Sequence, residues 1–324
     1  MATELHDQLT KYLTDAHSIE VQALAQLRTA PKLAGNSQLS HIFEEHLAET
    51  ENHERLTREL LDARGASPSK LKDVVMGAGG KGFLLFARLN PDTPGKLYAH
   101  SVSYEALELA SYELLARVAE RAGETEVVET ARRIGAEERA MIDRLESHVD
   151  DAYSASMAAH ARDDIHELLP KYLADAHAIE EQAVQLLERA PTLVEDPSLA
   201  SVFADHLAET RDHLELVEER LSALDSSPNR LQDAVLRLGA LNWGAFFQGH
   251  PDTPGKLTAF AYAFEHLEIG GYELLQRVAA SANDQPTIDV VKRILEQERH
   301  AAELLAGQFD TAVTASLRAV GASV

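Results

Sequence analysis

The chain contains no cysteine, which excludes disulfides, thiolate metal sites, iron-sulfur clusters and thiol catalysis at once. Any metal it holds must be bound by oxygen and imidazole nitrogen. Basic residues are the next shortage: 30 Lys and Arg stand against 53 Asp and Glu, for a formal net charge of -23. Nucleic acid and anionic membranes are attracted by Lys and Arg in excess, so neither is expected as a partner, and metal cations are. Aromatics make up only 6% of the chain. Its long segments are rich in Ala, Leu, Glu, Gln and Arg, with Pro and Gly gathered between them, the pattern of an all-α protein. The longest apolar run, around Gly82 to Leu89, is too short to span a bilayer, and Met1-Ala2-Thr3-Glu4 has no basic stretch followed by an apolar one. A soluble, cytoplasmic protein is the expectation. No Gly-x-Ser-x-Gly is present to suggest hydrolysis. The stretch Gly77-Ala78-Gly79-Gly80-Lys81-Gly82 lacks the Gly-Lys-Ser/Thr of a phosphate cradle, and 160 positions further on the chain reads Leu238-Gly239-Ala240-Leu241-Asn242 instead. Nothing indicates a nucleotide, flavin or haem.

What the chain does have is a repeat. Shifted by 160 positions it lies on itself without a gap, from Glu4-Leu5-His6 on Asp164-Ile165-His166 to Glu138-Arg139 on Glu298-Arg299. A chain of 324 residues with 45% hydrophobic content has material for two cores. The division is module 1 at 1–155, a short connector at 156–163 and module 2 at 164–324. The connector is too short for a flexible tether and reads as a continuation of the fourth helix. The two modules are therefore expected to touch as an intramolecular pseudo-dimer, with further oligomerisation left open.

Apolar residues at spacings of three and four mark four long helices per module. The first runs from about Glu4 to Leu27 and is stopped by Pro31. The second opens after Asn36-Ser37 and ends at Gly65, with Leu39, Phe43, His46, Glu49, His53, Leu56 and Leu60 on one face. A long connector with its own short helix, begun by Ser67-Pro68, leads to the turn Asn90-Pro91-Asp92-Thr93-Pro94-Gly95. The third helix shows Leu97, Ser101, Tyr104, Glu108, Tyr112 and Leu115; the fourth, beyond Gly123, shows Val127, Ala131, Ile134, Glu138, Met141, Ile142, Leu145 and Val149. Module 2 repeats them over about 164–188, 197–224, 256–280 and 286–317, with Ser227-Pro228 and the turn Pro251-Asp252-Thr253-Pro254-Gly255 in its crossover. Short, long and short links describe a four-helix bundle whose second and third helices are joined by a crossover. The fold class is therefore all-α: two tandem ferritin-like four-helix bundles, each with a long helix-containing crossover between helices 2 and 3.

Acids persist in both copies inside otherwise apolar stripes, at Glu20 and Glu180, Glu49 and Glu209, Glu108 and Glu268, and Glu138 and Glu298. A buried carboxylate without a partner is costly, and four on four helices call for a cation. Outward positions differ freely, as at Glu44 and Ala204, Glu51 and Arg211, or Glu54 and Leu214. Carboxylate-bridged bundles take one Glu from each of two helices and Glu-x-x-His from each of the others. Module 1 offers Glu20, His46, Glu49, His53, Glu105, Glu108 and Glu138; module 2 offers Glu180, His206, Glu209, His213, Glu265, Glu268 and Glu298. The pattern departs from the template in two places. Asn52 and Asp212 stand where the second helix would put its imidazole, and Met141 and Ala301 where the fourth would. Tyr112 and Tyr272, one turn after Glu108 and Glu268, are placed to donate to a ligating carboxylate or to serve as core aromatics. His17 and His177, one turn before the first-helix glutamates, read as core histidines or outer partners of the site.

Asp15-Ala16-His17-Ser18-Ile19-Glu20, His46-Leu47-Ala48-Glu49-Thr50, Glu105-Ala106-Leu107-Glu108 followed by Tyr112, and Glu137-Glu138-Arg139 resemble the bacterial ferritin-like stress proteins of the YciE and YciF type. The Glu-x-x-Glu is also similar to rubrerythrin. The resemblance covers nearly the whole of each module; His53 and His213 depart from the glutamine expected there in many relatives. It implies a ferritin-like bundle, a metal site, an association with stress responses, and single modules that pair, here joined covalently.

Two functional readings compete. In the first, a di-iron or mixed iron-manganese centre in one or both bundles meets dioxygen or peroxide, and any turnover is that of a di-iron oxidase- or peroxidase-like oxidoreductase. In the second, the buried acids form a structural hydrogen-bonded network, and the bundles are a non-catalytic scaffold for a partner in the stress response.

Overall fold

The computed structural model describes residues 2–66, 93–158, 165–227 and 253–322. These contain eleven helices and no strand. The chain divides into two compact units, residues 1–159 together with 317–324, and residues 160–316. In unit 1 the helices are α1 (Ala2–Leu27), α2 (Ala30–Leu33), α3 (Ser37–Ala63), α4 (Thr93–Ala122), α5 (Thr125–Ser147) and α6 (Val149–Met157). In the second repeat they are α7 (Ile165–Leu193), α8 (Pro197–Ala223), α9 (Thr253–Ser281), α10 (Gln285–Gly307) and α11 (Phe309–Ala319). The crossover helix expected after Ser67-Pro68, the Gly77–Gly82 stretch, its counterpart Leu238–Asn242, Pro228, the starts of both crossover turns at 90–92 and 251–252, and the connector at 159–163 lie outside the described residues.

Each unit closes a ring of four long helices. In unit 1, α1 packs on α3 and α4, α5 packs on the same two, and α1 and α5 face each other across the diagonal. In unit 2, α7, α8, α10 and α9 form the same ring. The expected stripes line the core: Leu9, Leu13, Leu39, Phe43, Leu97, Leu115, Val127, Ile134, Met141 and Leu145 are at most 2% exposed. Burial of each such side chain contributes roughly 1.5–3 kcal/mol, which offsets the ordering of the helices and the desolvation of the polar groups among them.

Helix ends follow local chemistry. Asn36, extended at φ -142°, caps α3 by accepting from the amides of Gln38 and Leu39; Asp196 does the same for α8. Gly65 leaves α3 at φ +64°, a left-handed conformation that glycine adopts without strain. At Gly95, in the first turn of α4, the backbone N–H donates to the buried Ser156 Oγ at 2.7 Å, so α6 satisfies one of α4's open amides. Ser316 serves Gly255 in the same way.

Three expectations are corrected. The fourth helix is two helices in each repeat, broken at His148 and at Gln308. At the first break the Arg144 carbonyl accepts from Ser147 Oγ and His148 Nδ1, and the His148 amide turns back to Leu145. These side-chain donors take the carbonyl that a continuing helix would use. The seventh helix runs to Leu193, with Pro191 inside it, past the expected end at 188. Glu54, read as a freely varying outward position, bonds His17 at 3.1 Å; in unit 2, where Leu214 stands in its place, Glu218 reaches His177 from one turn further along.

Removing the cap by Asn36→Ala is expected to cost about 1 kcal/mol. Gly135 lies mid-helix in α5, and a Cβ there would meet Leu109 and Tyr112 only at 3.6 Å. Gly135→Ala is therefore expected to gain about 0.5–1 kcal/mol. Urea denaturation followed by circular dichroism measures both, and a shift of the wrong sign refutes either.

Candidate metal centre

The two imidazoles of α3, His46 and His53, are seven residues apart and so lie two turns apart on nearly the same line of the helix. They face Glu20 from α1, Glu105 and Glu108 from α4, and Glu138 from α5. All six side chains are at most 3% exposed. Their atoms assemble into two groups, His46 with Glu105, Glu108 and Glu138, and His53 with Glu20 and Glu138; in each group the ligand atoms lie within 4.8 Å of one another. Glu138 belongs to both. Its Oε1 lies 2.8 Å from His53 Nδ1, and its Oε2 lies 3.5 Å from His46 Nε2. Unit 2 repeats the arrangement with His206, Glu265, Glu268 and Glu298 in one group and Glu180, His213 and Glu298 in the other.

The donor set fits a pair of divalent cations. Four carboxylates and two neutral imidazoles match in number what a carboxylate-bridged bundle uses, and four negative charges balance two divalent ions. Their distribution differs from the template, because both histidines come from α3 and the extra glutamate from α4. Both oxygens of Glu108 and Glu138, together with Glu20 Oε2, Glu105 Oε2, His46 Nε2 and His53 Nδ1, are buried without a hydrogen-bond partner. Although His46 Nε2 approaches Glu105 Oε2 to 2.8 Å, the geometry is not that of a hydrogen bond. So many unpaired polar atoms in one core are costly in protein alone; bound cations would satisfy them. The residues suit iron, manganese and zinc alike.

The remaining expected residues surround this core. The Tyr112 hydroxyl donates to Glu20 Oε1, and Tyr272 donates to Glu180 Oε1 at 2.5 Å. His17 and His177 are buried but face Glu54 and Glu218, outside both groups. Glu49 and Glu209 also stand outside the groups. Glu49 is 34% exposed, and its Oε2 sits 2.9 Å from His46 Nδ1 and 2.5 Å from Arg144 Nη2. Sequence reasoning missed Arg144 and the role of Glu137, whose Oε2 lies 2.6 Å from His53 Nε2. The signal available was their position, Glu137 beside Glu138 and Arg144 about one and a half turns beyond it. Next to Glu105 a small cavity has Gln26, Ser101 and Tyr104 in its lining, and Gln26 accepts from His100. Unit 2 has Leu186, Phe260, Ala261 and Phe264 at the corresponding four positions.

Electrostatics follow the burial. Desolvation, reinforced by the charge of Glu138, pushes the Glu20 carboxyl up to about 8, and Glu180 behaves alike beside Glu298. Glu108, Glu138 and Glu268 are also raised, chiefly by burial. Burial works in the same direction on Glu105, but the charge of His46 beside it prevails and holds it low. Glu49 falls to about 2 through its bond to His46, against partial burial and with the help of Arg144. Near neutrality the metal-free centre therefore retains protons, which an entering cation must displace.

A carboxyl whose folded pKa is raised binds more protons folded than unfolded. Its contribution is fully present below the unfolded value near 4.5 and is lost as pH rises through about 8. The chelator-treated chain is expected to melt at a lower temperature at pH 8.5 than at pH 6, and Glu20→Gln with Glu180→Gln is expected to flatten that dependence. A pH profile unchanged by the double substitution refutes the assignment.

A family model described as a domain of unknown function, DUF892, matches residues 4–158 and again residues 164–318. The matches take in every member of the four side-chain groups, once per copy. With nearly all of its length covered, the chain belongs to the DUF892 family, as a tandem pair of its ferritin-like domains.

Proposed function

We propose that each unit holds a carboxylate-bridged pair of iron or manganese ions and that the protein handles iron or peroxide in the oxidative or general stress response. The observation that carries this reading is Glu138, a fully buried carboxylate whose two unpaired oxygens face two different histidines. His46, Glu105 and Glu108 would hold one ion and Glu20 and His53 the other, with Glu138 between them; Glu298 has the same place in unit 2. When bound, such a pair supplies one-electron redox chemistry and an electrophilic site for dioxygen or peroxide. Tyr112 fixes the orientation of Glu20 and leaves its second oxygen for the ion. The inner carboxylates and imidazoles of unit 1 are at most 3% exposed, which excludes bulk water and strengthens each electrostatic contact among them. The stress role rests on the resemblance to the YciE and YciF type.

A scaffold with structural carboxylates is the second reading. It draws support from the raised pKa values of Glu20 and Glu108, since protonated carboxyls can hydrogen-bond to one another and to imidazole without any ion.

Metal stoichiometry after anaerobic loading with ferrous iron or manganese and removal of loosely bound ions separates the two. Four groups per chain set the expectation of four ions. Glu138→Gln with Glu298→Gln should reduce uptake to a residue, with helicity retained. An intact helical chain that binds none selects the scaffold.

A further inference from the structure

The duplication supplies an internal comparison. All six inner residues of each centre are the same in the two units, but the partners behind the histidines are not. In unit 1 each imidazole is backed by a carboxylate: His46 Nδ1 by Glu49 Oε2 at 2.9 Å, and His53 Nε2 by Glu137 Oε2 at 2.6 Å. Glu49 is in turn fixed by Arg144. In unit 2 neither contact is kept in that form. Gln297 replaces Glu137 and offers His213 a neutral amide oxygen at 3.3 Å. Leu304 replaces Arg144 and is 45% exposed. Without that arginine, Glu209 stands 3.6 Å from His206 Nδ1, which makes no hydrogen bond.

A carboxylate that accepts from the distal N–H fixes the tautomer, so the other nitrogen turns its lone pair to the metal. It also raises the basicity of the imidazole. In unit 1 this places the lone pairs on His46 Nε2 and His53 Nδ1, the two nitrogens that face Glu105 and Glu138. A neutral amide fixes the tautomer but adds less basicity, and an unbonded ring is free to choose either tautomer.

We propose that the two centres are unequal by construction: unit 1 is a tight metal site, with Glu49, Arg144 and Glu137 as its positioning residues, and unit 2 is a weaker one that takes up and releases metal. The inference rests on the reading of the inner residues as metal ligands. It assigns the units different work, the first retaining its metal and the second exchanging with the surrounding pool.

The test uses the full chain and manganese alone. Competition against a chelator of known affinity should resolve two classes of site, separated by about 10- to 100-fold, the usual effect of losing such partners. With unit 1 disabled by Glu138→Gln, only the weak class should remain; with unit 2 disabled by Glu298→Gln, only the tight class. In the Glu298→Gln chain, Glu137→Gln should weaken binding about tenfold, and Glu137→Asp, which keeps the charge, should retain most of it. In the Glu138→Gln chain, Gln297→Glu with Leu304→Arg should strengthen binding by a similar factor. Glu137 and Leu304 are 38% and 45% exposed, so neither exchange disturbs the core. Four ions of one affinity, or exchanges that leave affinity unchanged, overturn the inequality and leave the metal reading standing. A chain that binds no manganese here and no ferrous iron in the anaerobic loading overturns both.

Discussion

Four carboxylates meeting on the axis of a helical bundle are the constraint to which the rest of each unit answers. Each has lost its water, and each repels the others; the desolvation alone costs several kcal/mol per ion. Two histidines from α3 go part of the way to compensating them, and the side-chain groups around them could hold metal ions that complete the balance. The long apolar stripes of α1, α3, α4 and α5 supply the burial energy that holds this arrangement together. The hydrogen bond of Tyr112 keeps one carboxylate in a fixed pose. The same features that make the site costly in protein alone favour positive charge there, whether retained protons or a cation.

The helices and the six inner residues of each unit were legible in the sequence, because the repeat separates positions that hold their identity from those that drift. Asn36 and Gly65 give the ends of α3 through chemistry that is local and readable. The orientation of Glu49 was not. On a helix, a residue three positions on is rotated by about 60°, and this offset separates Glu49 from His46 just as it separates Glu108 from Glu105. Both glutamates of α4 are buried, whereas Glu49 of α3 is 34% exposed. Periodicity states the angle but not the neighbours. The breaks at His148 and Gln308 were hidden for a related reason, since at His148 side chains compete for a backbone carbonyl without interrupting the apolar pattern.

The pairing of His17 shows what a position-by-position comparison of the copies overlooks. Glu54 and Leu214 differ, and the difference looks like free surface drift. In the structure the carboxylate has moved one turn along the helix to Glu218 and still reaches His177. What is kept is the contact rather than the residue. Around the histidines of the centre the outcome is different: Gln297 and Leu304 have no such replacement among the contacts of His213 and His206. The lining beside Glu105 changes in the same sense, from Gln26, Ser101 and Tyr104, with His100 bonded to Gln26, to hydrocarbon at the corresponding positions.

Joining the two copies in one chain has an evolutionary consequence. A homodimer built from a single gene must present the same site twice, and any change to its surroundings appears in both. Two copies in series can be altered one at a time, yet are always made in equal number and never need to find each other. The outer partners of the two centres have used that freedom, while the six inner residues of each have not.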